Sequence, residues 1–347
     1  MSAPPIFNVK RLSKSDSRTV NSERTVAQRQ QESVWSMNFE HVPVLLEECI
    51  DSLDIRHDGT YVDGTVGGAG HASHICGKLS EAGTFIGIDK DTDALKTAEE
   101  RLAGYNCDKY LRHGSFADIK DLIRGSGKEK IDGALLDIGV SSYQLDTPER
   151  GFSYMHDAPL DMRMDRSYGK TAYDVINKYS ENELKEIISG YGEERWASRI
   201  AGFIVKRRKE NRIETTLQLA DLIKAAIPAK ARREGPHPAK RTFQAIRIEV
   251  NEELEELKRA VDEYLDILTS GGRLCIITFH SLEDRIVKES FRRRANPCTC
   301  PPEFPVCVCG KKGDVRLITG KPIIAGEKEL ENNPRARSAK LRVCEKV

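Results

Sequence analysis

Nowhere in this chain do roughly 18 uncharged apolar residues run together, so no segment of the sequence reads as a membrane-crossing helix. The N-terminus also lacks the apolar core of a secretory signal, which leaves the cytoplasm as the expected location. Net charge is nearly absent, at +1, and that total points to neither an acidic nor a basic partner. Missing as well is any G-x-G-x-x-G turn, the backbone pattern that seats a dinucleotide pyrophosphate. Cysteine is not scarce, but five of the nine (Cys49, Cys76, Cys107, Cys275 and Cys344) stand singly, several in apolar runs. They read as reduced, buried thiols and not as a disulfide framework. With 39% hydrophobic and 31% charged residues in 347, what remains suits one large folded domain or two modest ones.

Residues 1–36 are rich in Ser, Arg, Gln and Thr and show little apolar periodicity. They are expected to form a disordered leader, with the folded protein opening at Met37. From Thr60 onward strand-like runs alternate with helical patterns: TYVDGTV, TFIGID, KYLRHGSF and IDGALLDIGVSS. That order predicts an α/β fold, a Rossmann-like parallel sheet wrapped by helices. The rhythm stops after Gln144, and GGRLCIITF at 271–279 resumes it. Residues 146–240 therefore read as an inserted helical subdomain, with 37–145 and 241–347 forming one discontinuous domain. VRLIT and SAKLRVCEKV close the chain as strands expected at the sheet edge.

The densest motif is YVDGTVGGAGH, Tyr61 to His71, where Gly64, Gly67, Gly68 and Gly70 separate a strand from a helix. Glycines there let backbone amides approach a ligand at a helix N-terminus, although many such turns are only tight connections. Asp89 sharpens the reading, because it ends the next strand 21 residues after Gly68, where a carboxylate can accept both ribose hydroxyls of an adenosine. Without the dinucleotide spacing, S-adenosylmethionine (SAM) is the better ligand. Its carboxylate and ammonium suit the loop amides, His71 and Asp63, while Phe116 could cover the adenine.

The fourth strand ends in LLDIGVSSYQLD, which puts Asp137, Ser141, Ser142 and Gln144 at the carboxyl end of the sheet, where open parallel sheets bind ligands. FHSLEDR follows the fifth strand and brings His280 and Ser281 to the same end; the charged residues after them equally suit a helix start.

The combination of HVPVLLEE, DGTVGGAGH, IDKD, DIGVSSYQLD, ERGFS, PLDMRMD and TFHSLEDRIVK resembles the 16S ribosomal RNA cytosine N4-methyltransferase family, small-subunit methyltransferase H or MraW. The resemblance runs from about Asn38 to the C-terminus. It implies a class I SAM-dependent methyltransferase sheet, a cytoplasmic role in ribosome biogenesis, and methyl transfer to a decoding-region cytidine of the small subunit. It also implies SAM contacts at Ala69, Gly70, His71, Asp89, Phe116, Asp137 and Gln144, to which the reading of the glycine turn adds Gly68. Many amino-methyltransferases carry a D/N/S-P-P-Y/F/W motif after the fourth strand, where this chain has DIGVSS. The generic mechanism therefore does not transfer, and Ser141, Ser142, His280 and Ser281 stand as the catalytic candidates.

Between Arg195 and Arg241 there are 13 Lys or Arg against 4 Asp or Glu, an excess hidden by the neutral total. Such a run is often a solvated helix face, but beside the crevice it suits RNA phosphates, with Arg207, Arg208, Lys209, Arg232, Arg233 and Arg241 as candidates. Near the C-terminus Cys298, Cys300, Cys307 and Cys309 lie as C-x-C, six residues, C-x-C. Four thiolates can hold zinc, yet structural sites usually space their pairs as C-x-x-C, so a reduced loop is the stronger expectation. An NAD-dependent oxidoreductase and a non-catalytic RNA-binding protein are the competing functional classes. The expected assembly is a monomer or homodimer.

Overall fold

A computed structural model describes residues 43–233, 235–301, 303–306 and 308–347. The expected leader, residues 1–36, lies outside them, as does Cys307. None of the described helices is long and apolar enough to cross a membrane.

Helix α1 (Leu46–Leu53) precedes β1 (Thr60–Asp63), α2 (Gly70–Lys78), β2 (Thr84–Asp89), α3 (Thr92–Leu102), β3 (Asp108–His113), α4 (Ile119–Arg124) and β4 (Ile131–Asp137). The strands β1, β2 and β4 are almost wholly buried along their length, the near-continuous apolar pattern of a sheet covered on both faces. Helices α5 (Ser142–Asp146), α6 (Ala172–Lys178), α7 (Glu181–Gly190), α8 (Ala197–Glu210), α9 (Thr216–Ala226), α10 (Lys240–Asn251) and α11 (Glu253–Ile267) follow before the next strand, β5 (Leu268–Thr278). Helix α12 (Ser281–Ala295), β6 (Val315–Leu317), α13 (Glu327–Asn332) and β7 (Lys340–Lys346) complete the chain.

The sheet order is β3-β2-β1-β4-β5-β7-β6. Strands β3, β2, β1, β4 and β5 run parallel, and β7 is antiparallel to β5. The last strand in sequence thus lies inside the sheet, and only the three-residue β6 forms the edge beside it. The parallel sheet expected from the alternation is present. Its chain reversal after β1, with β2 on one side and β4 on the other, makes the carboxyl end of β1 the place where a crevice opens.

Two core clusters cover the two faces of the sheet. A third cluster draws on residues from Phe152 to Val250. It includes Phe243, Ile246 and Val250 of α10, so the helix just beyond residue 240 packs with the helices before it. One side chain braces this third layer internally and another ties it to the sheet. Asn251 donates to the Met162 carbonyl and accepts from the Met164 N–H, both at 2.8 Å. Arg150, 3% exposed, pairs with Asp91 at the head of α3 and donates to the carbonyls of Arg163 and Met164. These contacts explain the PLDMRMD segment: it is a turn, with Met162 in a left-handed conformation (φ 59°), clamped between Arg150 and Asn251.

Candidate active site

The four glycines of the first turn do different things. A Cβ on Gly64 would lie 2.3 Å from Leu136 Cδ2 and 2.5 Å from the Tyr264 hydroxyl, and one on Gly70 would lie 2.5 Å from Pro43 Cγ. Those two are glycine because the core and the chain before α1 pack onto them. Gly67 has φ 48°, a left-handed turn, and its N–H donates to Asp89 Oδ2 at 2.8 Å. Gly67 and Gly68 are not crowded in this way: a Cβ on Gly67 would meet only the Thr65 carbonyl oxygen at 3.7 Å, and one on Gly68 only Arg101 Nη1, the far end of a flexible side chain, at 3.4 Å. Ala69, also left-handed at φ 61°, is the N-cap of α2, and no side chain among the described residues caps that helix. Its first amides are therefore left without a side-chain acceptor at the positive end of the helix, where an anion is favoured.

Strands β1, β2 and β4 each end in an aspartate, Asp63, Asp89 and Asp137, and their pairing sets all three at one edge of the sheet. Asp63 accepts from the Thr65 N–H (3.0 Å), and the Thr65 hydroxyl in turn accepts from the Asp137 N–H (2.7 Å). Asp89 accepts from Gly67 and Asp91 amides, each at 2.8 Å, which leaves further lone pairs on both oxygens. Burial raises all three carboxyls: Asp63 to about 7, Asp89 to about 6 and Asp137 to about 8, with the charges of Asp63 and Glu283 adding to the last. Asp137 Oδ1 is buried with no hydrogen-bond partner among the described residues. Beneath them the Tyr264 hydroxyl is likewise buried without such a partner. Burial, with Asp63 nearby, pushes that phenol well above its ordinary range.

His71, 6% exposed, sits in the first turn of α2 with Nε2 3.0 Å from the Val44 carbonyl and Nδ1 3.9 Å from Asp137 Oδ2. Burial lowers it to about 4, so the ring is neutral, its one proton belongs on Nε2, and Nδ1 faces the site as an acceptor. Phe116 stands half-buried after β3, its Cβ 3.1 Å from a would-be Cβ on Gly64.

After β4, Ser141 and Gln144 form a capping box for α5: the serine hydroxyl accepts from the Gln144 N–H and the glutamine oxygen from the Ser141 N–H. The Gln144 amide also donates to Asp91 Oδ2 at 3.1 Å. Gln144 is thus a buried brace between α3 and α5, and Ser142, half-buried beside it, carries no such capping duty. At the fifth strand, His280 caps α12 through a capping box with Glu283. His280 Nε2 lies 2.9 Å from Glu283 Oε1, but neither atom has a well-aligned hydrogen-bond partner among the described residues. The exposed Ser281 donates to Glu193 Oε2 at 2.6 Å, and Glu193 also lies 3.6 Å from Arg285 and accepts from Arg241 through its carbonyl.

The edge therefore gathers Asp63, His71, Asp89, Asp137 and the Ser141–Gln144 turn, with His280 at the neighbouring strand end. Sequence reading missed Asp91, Arg150 and Glu193. Arg150 had a signal in ERGFS, but a lone arginine in a loop does not announce the aspartate it will meet 59 residues away. Of the basic candidates, Arg207, Lys209, Arg233 and Arg241 are exposed, whereas Arg208 and Arg232 are half-buried. Arg208 donates to the carbonyls of Ile176 and Tyr179 at the end of α6, so at least part of its guanidinium serves the fold. Cys298, Cys300 and Cys309 lie on the segment that leaves α12.

Compared with known proteins, residues 38–347 match the model of the MraW methylase family. A curated relative from Ruminiclostridium cellulolyticum, "Ribosomal RNA small subunit methyltransferase H", is 56% identical over 313 residues, covering 90% of this chain and all (100%) of that protein. One of the same name from Clostridioides difficile is 57% identical over 311 residues, with 90% and 100% covered. A solved rRNA methylase from Streptococcus thermophilus covers 88% of this chain and 98% of its own at 12% identity, with a TM-score of 0.39, too distant to inform the site.

Proposed function

The chain belongs to the MraW methylase family, and on that premise we propose that it transfers a methyl group from SAM to the N4 amine of a cytidine in the decoding region of 16S rRNA, within the small ribosomal subunit. It is a SAM-dependent methyltransferase with a class I sheet, and its relatives act on small-subunit rRNA. The observation that carries the reading is the row of three strand-end aspartates, Asp63 buried and Asp89 and Asp137 half-buried, beside a helix N-terminus that no described side chain caps.

The residues present fit SAM. The amides that open α2, from Gly68 through His71, suit its carboxylate, and Asp89 keeps lone pairs for two ribose hydroxyls. The partnerless Asp137 Oδ1 and the acceptor Nδ1 of His71 suit an ammonium, and Phe116 supplies an apolar face for adenine. Bound there, SAM supplies an electrophilic methyl group on a sulfonium.

Toward the acceptor base the chain must do two things. The N4 lone pair of cytosine is delocalised into the ring, so rate comes from alignment and from accepting hydrogen bonds as positive charge grows on the nitrogen. Ser142, next to the capping serine and free of its duty to α5, is the side chain assigned to orient N4. His280 and Ser281 hold the neighbouring strand end in place through Glu283 and Glu193. The helical layer, residues 146–240, presents Arg207, Lys209 and Arg233 to phosphates, joined by Arg241 of α10, and a base whose amine reacts must leave any stack or duplex.

Mass spectrometry of 16S rRNA nucleosides from cells with and without the gene tests the proposal. N4-methylated cytidine at the decoding region should vanish on deletion and return with the intact protein. Its persistence in the deletion would overturn the reading.

A further inference from the structure

Beyond methyl transfer, the segment between α12 and β6 has an unusual problem of stability. No described residue between Phe291 and Val315 is buried. Phe304, Val306 and Val308 are 51%, 70% and 73% exposed, so the segment has no apolar core of its own. A loop of this length that cannot bury its hydrophobic residues needs another source of order.

Three thiols converge there. The Sγ atoms of Cys298, Cys300 and Cys309 all lie within 4.8 Å of one another, and Cys298 and Cys309 are 3.8 Å apart. A disulfide would need about 2.05 Å, whereas two thiolates on one tetrahedral zinc, each at about 2.3 Å, stand about 3.8 Å apart. The Val308 N–H points to Cys300 Sγ at 3.3 Å, the kind of amide contact that steadies a metal-bound thiolate. Directly after Cys309, Gly310 is left-handed (φ 66°).

We propose that Cys298, Cys300 and Cys309 bind a structural zinc ion and that this ion folds the segment between α12 and β6. Binding converts three thiols to thiolates and releases three protons to solvent, with no change of oxidation state. Soft sulfur donors select zinc over magnesium or calcium, and tetrahedral zinc takes one further donor beyond these three.

Metal analysis of the full-length protein, produced with zinc in the medium and desalted, should return one zinc per chain. Replacing zinc with cobalt(II) should give thiolate-to-metal absorption in the near ultraviolet and the intense visible bands of a tetrahedral site. This measurement needs no variant. The double variant C298S/C309S should lose the metal while its circular dichroism and SAM affinity stay those of the wild type, and protease should then cut within residues 297–313. Protein without stoichiometric zinc, zinc retained in the double variant, or a cobalt form lacking thiolate absorption would each overturn the proposal.

Discussion

Asp137 and His71 face each other across the carboxyl edge of the sheet, with Asp137 Oδ2 3.9 Å from His71 Nδ1. Burial makes the two groups meet as a carboxyl raised to about 8 and an imidazole lowered to about 4, with the ring proton directed at the Val44 carbonyl. At neutral pH both are uncharged in the unliganded protein. The site holds a proton that a cationic ligand can displace.

Asp137→Asn should therefore have two opposite effects. Between the ordinary carboxylate range near 4 and about 8, the unfolded chain has lost a proton that the folded one keeps. Stability of the wild type then falls as pH rises, by up to about 1.4 kcal/mol per pH unit from this group. The asparagine variant lacks that slope, so without ligand it should melt above the wild type at pH 7.5, with the gap closing toward pH 4.5. SAM affinity, measured by calorimetry, should instead fall roughly ten- to a hundredfold with the lost charge-assisted contact. A melting gap that does not vary with pH would sink the first part, and unchanged affinity the second.

Gly64 and Gly68 should separate packing from ligand contact. Gly64→Ala places a methyl 2.3 Å from Leu136 Cδ2, a core overpacking worth about 1–3 kcal/mol, and should lower the melting temperature by several degrees. Gly68→Ala meets nothing closer than 3.4 Å, so it should melt like the wild type and bind SAM more weakly. Thermal melts with and without SAM read both effects; the same melting point for Gly64→Ala and the wild type would contradict the packing account.

Ser142→Ala should slow methyl transfer at saturating SAM about tenfold or more, while SAM affinity stays unchanged. Single-turnover transfer to small ribosomal subunits is the measurement. A full rate in the variant removes Ser142 from the mechanism and leaves orientation of N4 to backbone carbonyls.

RNA affinity should weaken steeply with salt if the exposed basic residues meet phosphates. Replacing Arg207, Lys209 and Arg233 together by glutamine should reduce the slope of log affinity against log salt by about 2, near 0.7 per contact for single-stranded RNA. Arg208 is spared because it supports α6. A flat salt response of the wild type would count against phosphate contact.

Much of the fold could be read from the chain because strand and helix periods are local. TYVD, TFIGID and IDGALLD announced β1, β2 and β4, each ending in its aspartate. Less could be read of the site. Gln144 and Ser281 stand out in the sequence as ligand candidates, but the bonds that position them, Gln144 to Asp91 and Ser281 to Glu193, do not. Those partners come from distant parts of the chain, and no local pattern reports them.

The sequence by itself determined the alternation that makes a parallel sheet, the glycine turn with Asp89 one strand later, and the hidden basic excess. Each of these is a matter of spacing along the chain. Only the tertiary structure decided that Gly64 and Gly70 are bare for packing, that Arg150 locks the helical layer to α3, and that three cysteines converge on one another. It also decided that three aspartates share one edge where burial raises their carboxyls, Asp89 to about 6, Asp63 to about 7 and Asp137 to about 8. Burial and the approach of like charges are properties of the folded shape, and they do not exist until the strands have paired.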